Sequence, residues 1–145
     1  MRAVIQRVDW ARVKVKGEVV GEIGKGYLVF LGVRKGDGEK EAKKMAEKIT
    51  YLRIFEDEEG KLNRSIREVG GQILLVSQFT LYADTRKGRR PSFEEVASRE
   101  EALFCYRKVG ECLRSMGIPL SWGEFGEVME VELLNKGPLT IILEI

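Results

Sequence analysis

The chain has 145 residues, of which 43% are hydrophobic and 33% are charged, and its formal net charge is +2. This composition excludes a disordered chain, and no apolar run reaches the ~18 residues of a membrane-spanning helix. The chain also contains no histidine. That absence removes the commonest general base, the commonest metal ligand and every Ser-His or Cys-His nucleophile pair. Its length, without linkers or repeats, predicts a single domain over residues 1–145.

The first half of the chain predicts mostly strands. Residues 3–7 predict a strand, residues 12–23 predict a half-exposed hairpin that turns at Gly17, and residues 27–33 predict a buried central strand. A helix is expected after the Gly36-Asp37-Gly38 segment. Its apolar residues recur at helical spacing: Ala42, Met45, Ala46, Ile49 and Leu52.

The second half predicts one more helix among strands. Residues 72–79 predict a buried strand and residues 80–91 a polar loop. Ser98 and Glu101 have the spacing of a capping box, so a helix should begin there and end at Gly117. Residues 127–134 alternate in polarity, and residues 139–145 predict a last strand. Antiparallel strands with two inserted long helices predict an α+β fold.

Several classes of site are not indicated. Cys105 and Cys112 lie two turns apart on one helix face, too far for a disulfide, and no histidine completes a zinc set. We interpret both as core thiols and expect no metal. The glycine-rich segments match neither a P-loop nor GxGxxG, so no nucleotide cofactor is expected. The opening residues predict a strand rather than a leader peptide, so we expect a cytoplasmic protein.

The segment Ser77-Gln78-Phe79-Thr80-Leu81 is one candidate for a chemical role. It follows a buried apolar strand, where hydroxyls, an amide and backbone N–H groups would meet at a strand end. Such groups can bind a carbonyl and stabilise an oxyanion. The alternative is a strand end whose polar residues only satisfy neighbouring backbone groups.

The segment Asn135-Lys136-Gly137-Pro138-Leu139-Thr140 is a second candidate. Its composition between two apolar stretches predicts a hairpin turn. The functional alternative requires a cis Gly-Pro bond that points into a site, and only ~5–6% of X-Pro bonds are cis.

A basic loop is the third candidate. Arg86, Lys87, Arg89 and Arg90 fall within five positions, flanked by glycine and proline. The cluster predicts a phosphate-binding site, and the alternative is a solvated charged loop.

The first two segments together resemble the D-aminoacyl-tRNA deacylase family. Both motifs, Ser77–Leu81 and Asn135-x-Gly137-Pro138-x-Thr140, occur with family-like separation, and the resemblance covers essentially the whole chain. The other matching segments are Arg2–Val8, Gly21–Gly24, Tyr51-x-x-x-Phe55, Ala83–Thr85, Arg90–Phe93 and Gly123-x-Phe125-Gly126-x-x-Met129.

The resemblance implies a barrel-like sheet and hydrolysis of the ester that joins a D-amino acid to tRNA, with glycine mischarged on tRNA(Ala) as a second substrate. It implies a homodimer and no cofactor. Gly137-Pro138 of one subunit, as a cis dipeptide, would enter the partner's pocket near residues 77–80. Main-chain oxygens there would bind the substrate α-amino group, and L side chains would be excluded.

The resemblance also implies roles for individual residues. The implied catalytic residues are Gln78, Phe79 and Thr80. The implied substrate-binding residues are Ser77, Leu81, Phe125, Met129, Asn135, Gly137 and Pro138. With a tRNA substrate, the basic loop is expected to bind tRNA phosphates through Arg86, Lys87, Arg89 and Arg90. Lys136 and Glu127 depart from the family pattern, which usually has Asp and a small residue at these positions.

The role of Thr80 has two alternatives. Its hydroxyl would be a nucleophile, although no neighbouring base is evident, or water would be directed by the ribose 2′-hydroxyl of the substrate. We favour the second. Two other functions are alternatives. A non-catalytic RNA-binding module would use only the basic loop. A general small-ester hydrolase is disfavoured because histidine and GxSxG are absent.

Overall fold

A computed structural model describes residues 1–145, which form eight strands, two α-helices and one 3₁₀ turn. The strands are β1 (Arg2–Val15), β2 (Glu18–Ile23), β3 (Gly26–Gly32), β4 (Arg53–Glu56), β5 (Leu62–Ser65), β6 (Gln72–Ser77), β7 (Leu120–Trp122) and β8 (Glu130–Glu144). The helices are α1 (Glu39–Tyr51) and α2 (Arg99–Ser115), and the 3₁₀ turn is Phe79–Tyr82.

Six of the strands form one curled, barrel-like sheet. Its order is β2-β1-β3-β6-β7, and β8 also pairs with β1. The predicted α+β class is confirmed, and β1 is antiparallel to β2, β3 and β8. The β3–β6 and β6–β7 pairs are parallel, so the sheet is mainly antiparallel, as expected, but not entirely so. Parallel neighbours need long crossovers, and here these connections contain α1 and α2.

The long strand β1 pairs with three other strands of the sheet. Residues predicted as a strand (3–7) and as the first arm of a hairpin (12–16) belong to this single strand. Its first half pairs with β3 and its second half with β2, while β8 pairs along both halves. On the side opposite β8, the partner of β1 therefore changes from β3 to β2 along its length.

The core occupies both faces of the sheet. Alternate residues of β6 enter different apolar clusters: Ile73 and Leu75 pack with the helices, whereas Leu74 and Val76 pack with the second half of β1. A strand covered on both faces has a continuous apolar sequence, which explains the runs in β3 and β6.

Both helices follow their predicted patterns. The side chain of Ser98 accepts from the N–H of Glu101, whose carboxylate accepts from the Ser98 N–H, so the predicted capping box is confirmed. Cys105 is buried as expected, whereas Cys112 is only half-buried, and both thiols are free. Neither helix combines the length and apolarity needed to cross a membrane.

Gly110 provides a test of how α2 packs against Trp122 of β7. A Cβ at this position would overlap the indole ring of Trp122, which packs edge-on against Tyr106 with ring centroids 5.1 Å apart. Glycine to alanine inside a helix ordinarily stabilises by up to ~1 kcal/mol. Because of the overlap, we expect Gly110→Ala instead to lower the free energy of unfolding by about 2–3 kcal/mol, measured by urea denaturation.

The matched control for this prediction is Glu111→Ala, an exposed change on the same helix. It should alter the free energy of unfolding by less than about 0.5 kcal/mol. A Gly110→Ala variant as stable as this control would contradict the packing described for Trp122.

Candidate active site

A cavity of about 620 Å³ opens between the end of β6, the first half of α2 and the loop that precedes β8. Most of its lining is apolar, which is typical of small-molecule sites. The lining residues are Leu31, Val33, Val76, Ser77, Gln78, Phe79, Val96, Ala97, Arg99, Ala102, Tyr106, Phe125, Gly126, Glu127, Val128, Met129 and Val131.

Five of the sequence-predicted site residues meet in this cavity. Ser77, Gln78 and Phe79 come from the end of β6 and the start of the 3₁₀ turn, and Phe125 and Met129 come from the loop before β8. Two segments separated by more than forty residues thus share one wall. Thr80 and Leu81 belong to the same turn but do not line the cavity, and Thr80 is exposed.

The 3₁₀ turn Phe79–Tyr82 begins beside the cavity, which only its first residue lines. β6 ends at Ser77, two residues earlier than predicted, because the N–H of Gln78 donates to the Leu31 carbonyl at 2.8 Å and the chain then turns. The N–H of Leu81 closes the turn onto the Gln78 carbonyl at 3.3 Å. The N–H groups of Phe79 and Thr80 lie at the start of the turn, where a helical turn provides no intrahelical acceptor.

The hydroxyl of Thr80 accepts a hydrogen bond from the Gln78 side-chain amide. An amide N–H is a donor and cannot take a proton from the hydroxyl. No carboxylate contacts Thr80, and the chain has no histidine. The geometry therefore provides no base that would activate Thr80 as a nucleophile.

Aromatic side chains shape the mouth and the floor of the cavity. Phe79 and Phe93 meet edge-to-face with centroids 5.2 Å apart, and they are 55% and 41% exposed. Inside, the Tyr106 hydroxyl donates to the Leu75 carbonyl at 2.7 Å. Burial raises the pKa of Tyr106, so this phenol stays neutral and holds the floor rather than exchanging protons.

The Asn135–Thr140 segment is a bulge, and the predicted hairpin turn is wrong. β8 continues through the segment, and in its register with β1 Val8 pairs with Asn135 and Gln6 with Thr140. Residues 136–139 therefore oppose only Arg7. Pairing with β1 both before and after the segment keeps the chain extended. The local sequence does not reveal this pairing. The Gly137-Pro138 bond at the centre of the bulge is cis.

Side chains hold both ends of the bulge. The Asn135 side chain accepts from the N–H of Leu139 and donates to the Thr140 hydroxyl, both at 3.0 Å. Arg7, only 9% exposed, donates to the carbonyl of Lys136 at 3.1 Å and to that of Ile54 at 2.9 Å.

The bulge does not reach the cavity of its own chain. Gly137 and Pro138 are exposed, and neither they nor Asn135 line that cavity. These predicted residues are therefore not brought together with the Ser77–Leu81 segment within one chain.

The basic loop is closed at its base and open at its tip. Backbone hydrogen bonds of 2.8 and 2.9 Å join Asp84 and Ser92. Arg86 donates two hydrogen bonds to the Asp84 carboxylate, and these hold the pKa of Asp84 at about 2. The charge of Arg86 is thus largely neutralised by Asp84. The other three cations of the loop are exposed and form no ion pair: Lys87, Arg89 and Arg90.

Comparison with known proteins decides the family. The model of the D-Tyr-tRNA(Tyr) deacylase family matches residues 4–144. The chain belongs to this family. A D-aminoacyl-tRNA deacylase of Symbiobacterium thermophilum is 56% identical over 99% of this chain and 95% of its own. One of Carboxydothermus hydrogenoformans is 51% identical over the full length of both.

Solved structures agree with the deacylase-family fold. A structure of the c-Myc DNA unwinding element binding protein has a TM-score of 0.94 and 43% identity, covering 99% of this chain and 98% of its own. A probable eukaryotic D-amino acid tRNA deacylase has a TM-score of 0.85 at 18% identity, over 99% and 98% of the two chains, and this similarity shows the fold alone. The resemblance inferred from the two motifs is confirmed.

Sequence reasoning missed one charged residue that lines the cavity, Arg99, and named the other, Glu127, only as a departure from the family pattern. The guanidinium of Arg99, in the first turn of α2, lies against Gly126, where a Cβ would come within 2.7 Å of its Nη2. Glu127 is exposed at the rim. The Ser98 cap could have placed Arg99 in a first helical turn, but only tertiary packing brings it to Gly126. The other departure from the family pattern, Lys136, pairs with Asp9 at 3.6 Å.

Proposed function

We propose that this protein is a D-aminoacyl-tRNA deacylase, which hydrolyses the ester between a D-amino acid and the 3′-terminal ribose of tRNA and releases both. The observation that supports this proposal most directly is the match of the D-Tyr-tRNA(Tyr) deacylase family model to residues 4–144. In this chain the Ser77–Phe79 segment lines a cavity of about 620 Å³. We further propose that glycine mischarged on tRNA(Ala) is a second substrate.

The proposed chemistry relies on positioning and on backbone donors. The N–H groups of Phe79 and Thr80 donate to the ester carbonyl and stabilise the oxyanion that forms when water attacks. An aminoacyl ester is already activated, so a strong protein base is dispensable. The ribose 2′-hydroxyl directs the water. The amide of Gln78 orients Thr80, and Phe125 and Met129 form the wall of the pocket.

The chiral filter in this proposal is supplied by a second subunit. Gly137-Pro138 enters the partner's cavity, where its main-chain oxygens bind the α-amino group, and an L side chain would collide with this backbone. Glycine has no side chain to exclude. The exposed bulge, absent from its own cavity but anchored by Arg7 and Asn135, is suited to insertion into another chain.

An apolar row on the sheet supports the proposed homodimer. Val4 of β1 pairs with Phe30 of β3 on one side and with Ile142 of β8 on the other, so their side chains share one face. Ile142 is 67% exposed. Val4 and Phe30 are half-buried beside it. An apolar row that ends in an exposed side chain is suited to a protein–protein interface.

The first test compares D-Tyr-tRNA with L-Tyr-tRNA in the presence of a chelator. The purified protein should deacylate the D ester at least about 100-fold faster than the L ester, because only the L side chain meets the Gly137-Pro138 backbone. The measured quantity is release of tyrosine from each tRNA, corrected for spontaneous hydrolysis. Equal rates for both esters would contradict the chiral filter.

A nucleic-acid-binding module without hydrolysis is the second candidate function. It is favoured by the exposed basic loop and by a 43% identical relative that is named for DNA binding. Binding of both tRNAs without loss of either ester would replace the enzyme proposal with this one.

The basic loop is expected to bind tRNA phosphates. Reversing the three unpaired cations to glutamate (Lys87, Arg89, Arg90) should weaken tRNA binding by at least about 10-fold at 50 mM salt and flatten its salt dependence, because fewer counterions are released. Binding is measured by filter retention over a salt series.

The control for the loop variant reverses three unpaired lysines on the exposed face of α1: Lys40, Lys44 and Lys48. This changes the net charge by the same amount without touching the loop. An equal loss of affinity in both triple variants would mean that net charge, not the loop, governs binding.

A further inference from the structure

We propose that Arg2 is a positioning residue for the deacylation reaction: it fixes the 3₁₀ turn that carries the Phe79 and Thr80 donors and ties that turn to the end of β8. Arg2 lies on β1, outside the cavity, and contacts no part of it. The inference rests on the proposed function, because it assigns the residue a role in the same site.

The first contact is with the backbone of the turn. Nη1 of Arg2 donates to the Leu81 carbonyl at 2.6 Å, in a part-buried position. A hydrogen bond from a charged donor at this length is among the stronger ones in proteins. The carbonyl lies near the end of the turn, where helical turns leave acceptors without intrahelical donors. Arg2 therefore supplies the donor that the turn itself lacks.

The second contact is with Tyr82, the last residue of the turn. The Arg2 guanidinium lies over the Tyr82 ring, 4.8 Å from its centroid. The ring is only 5% exposed, yet its hydroxyl has no hydrogen-bond partner. The ring is consequently held by packing and by the cation above it, not by its polar atom.

The third contact joins the turn to β8. Nη2 of Arg2 donates to the Glu144 carboxylate at 2.8 Å, and the two residues pair in the β1–β8 register. One planar guanidinium thus bonds the turn through one nitrogen and β8 through another. Lysine cannot reproduce this, because its ammonium is a single point of charge.

Loss of Arg2 would act on the rate rather than on substrate affinity. The turn would lose the bond at Leu81 and the cation over Tyr82, while the cavity walls that bind substrate would remain. Donors displaced by about 1 Å from the oxyanion can cost about 100-fold in rate. We therefore expect Arg2→Met, which keeps the apolar stem over Tyr82, to lower kcat for D-Tyr-tRNA by about 10- to 100-fold with KM within about threefold.

The chain offers a closely matched control in Arg12. It also lies on β1, pairs with a glutamate of β8 at 2.6 Å, and has a similarly exposed side chain, 36% against 33% for Arg2. It stacks on Trp10 and does not contact the turn. Arg12→Met should reduce stability as Arg2→Met does, while kcat stays within about twofold of wild type.

A conservative variant and a second readout complete the test. Arg2→Lys should lose about 3- to 10-fold in kcat, between wild type and Arg2→Met, since it keeps the charge but not both bonds. Hydrogen exchange at the amides of Leu81 and Ala83, which close the turn, should accelerate in Arg2→Met and not in Arg12→Met. If Arg2→Met does not fold, Arg2→Lys is compared with Arg12→Lys in both measurements.

The outcomes separate this inference from the proposed function. A wild-type protein that leaves D-Tyr-tRNA intact overturns the function, and hydrogen exchange then still tests the hold of Arg2 on the turn. An active wild type with equal kcat in Arg2→Met and Arg12→Met overturns the positioning role. A raised KM with unchanged kcat overturns it as well.

Discussion

D-Tyr-tRNA that ends in 2′-deoxyadenosine is expected to be deacylated at least about 100-fold more slowly than the ordinary substrate, because the removed hydroxyl is the proposed director of the attacking water. Only one side chain that lines the cavity, the carboxylate of Glu127 at the rim, could act as a base in its place. Histidine is absent, the Tyr106 hydroxyl is bonded to a backbone carbonyl and its pKa is raised by burial, and the Thr80 hydroxyl hydrogen-bonds only to an amide donor. The measurement is single-turnover release of D-tyrosine from each tRNA.

The comparison needs a correction for chemistry without enzyme. A neighbouring hydroxyl also speeds spontaneous ester hydrolysis, so each enzymatic rate is divided by the spontaneous rate of the same tRNA. Binding of both tRNAs should be nearly equal, because one hydroxyl contributes little to an interface dominated by phosphates.

Two protein variants separate this route from its alternatives. Thr80→Ala and Glu127→Gln should each retain at least about a third of the wild-type rate if the substrate hydroxyl directs the water. Thr80 is the alternative nucleophile, and Glu127 is the one carboxylate that lines the cavity. Near-complete loss in either variant, with the deoxy substrate still cleaved, would transfer the role to that side chain.

The parts of the fold that the sequence predicts are those set by local pattern. The capping box at Ser98 and Glu101 fixes the start of α2 because both of its hydrogen bonds lie within four residues. The apolar runs of β3 and β6 predict strands covered on both faces, and both strands are buried in this way. Such signals need no knowledge of a distant partner.

The features that escape prediction depend on pairing between distant residues. Composition at Asn135–Pro138 favours a hairpin turn, but the strand pairs of Val8 and Gln6 on either side hold a bulge in a continuous β8. The end of β6 is likewise set by the Leu31 carbonyl on another strand. The cavity was incompletely predicted for the same reason, since only tertiary packing brings Arg99 to it.

Gly137→Ala is expected to lower kcat/KM for D-Tyr-tRNA by at least about 100-fold while the protein stays folded. Gly137 has φ of +130°, a conformation that L side chains rarely adopt. An added Cβ would lie 3.0 Å from Nη2 of Arg7 and 3.2 Å from the Leu139 nitrogen. The bulge would have to shift, and with it the main-chain oxygens proposed to bind the substrate amino group.

Gly60→Ala is the matched control for the backbone strain of placing alanine at positive φ. Gly60 has φ of +76°, lies in the turn between β4 and β5, and has open space where a Cβ would project. Both variants should lose about 1–2 kcal/mol of unfolding free energy by urea denaturation, since both force alanine to positive φ. Only Gly137→Ala should lose activity. Full activity in Gly137→Ala would separate the bulge from the site and leave the chiral filter without its residue.

The cross-subunit arrangement is tested by mixing two inactive variants. Phe79→Pro removes one proposed oxyanion donor at the start of a helical turn, where proline is tolerated. Co-expressed with Gly137→Ala, it should restore about a quarter of wild-type activity, because half of randomly formed dimers carry one site with an intact turn and an intact bulge. If the bulge served the cavity of its own chain, every site would keep one defect and no activity would return.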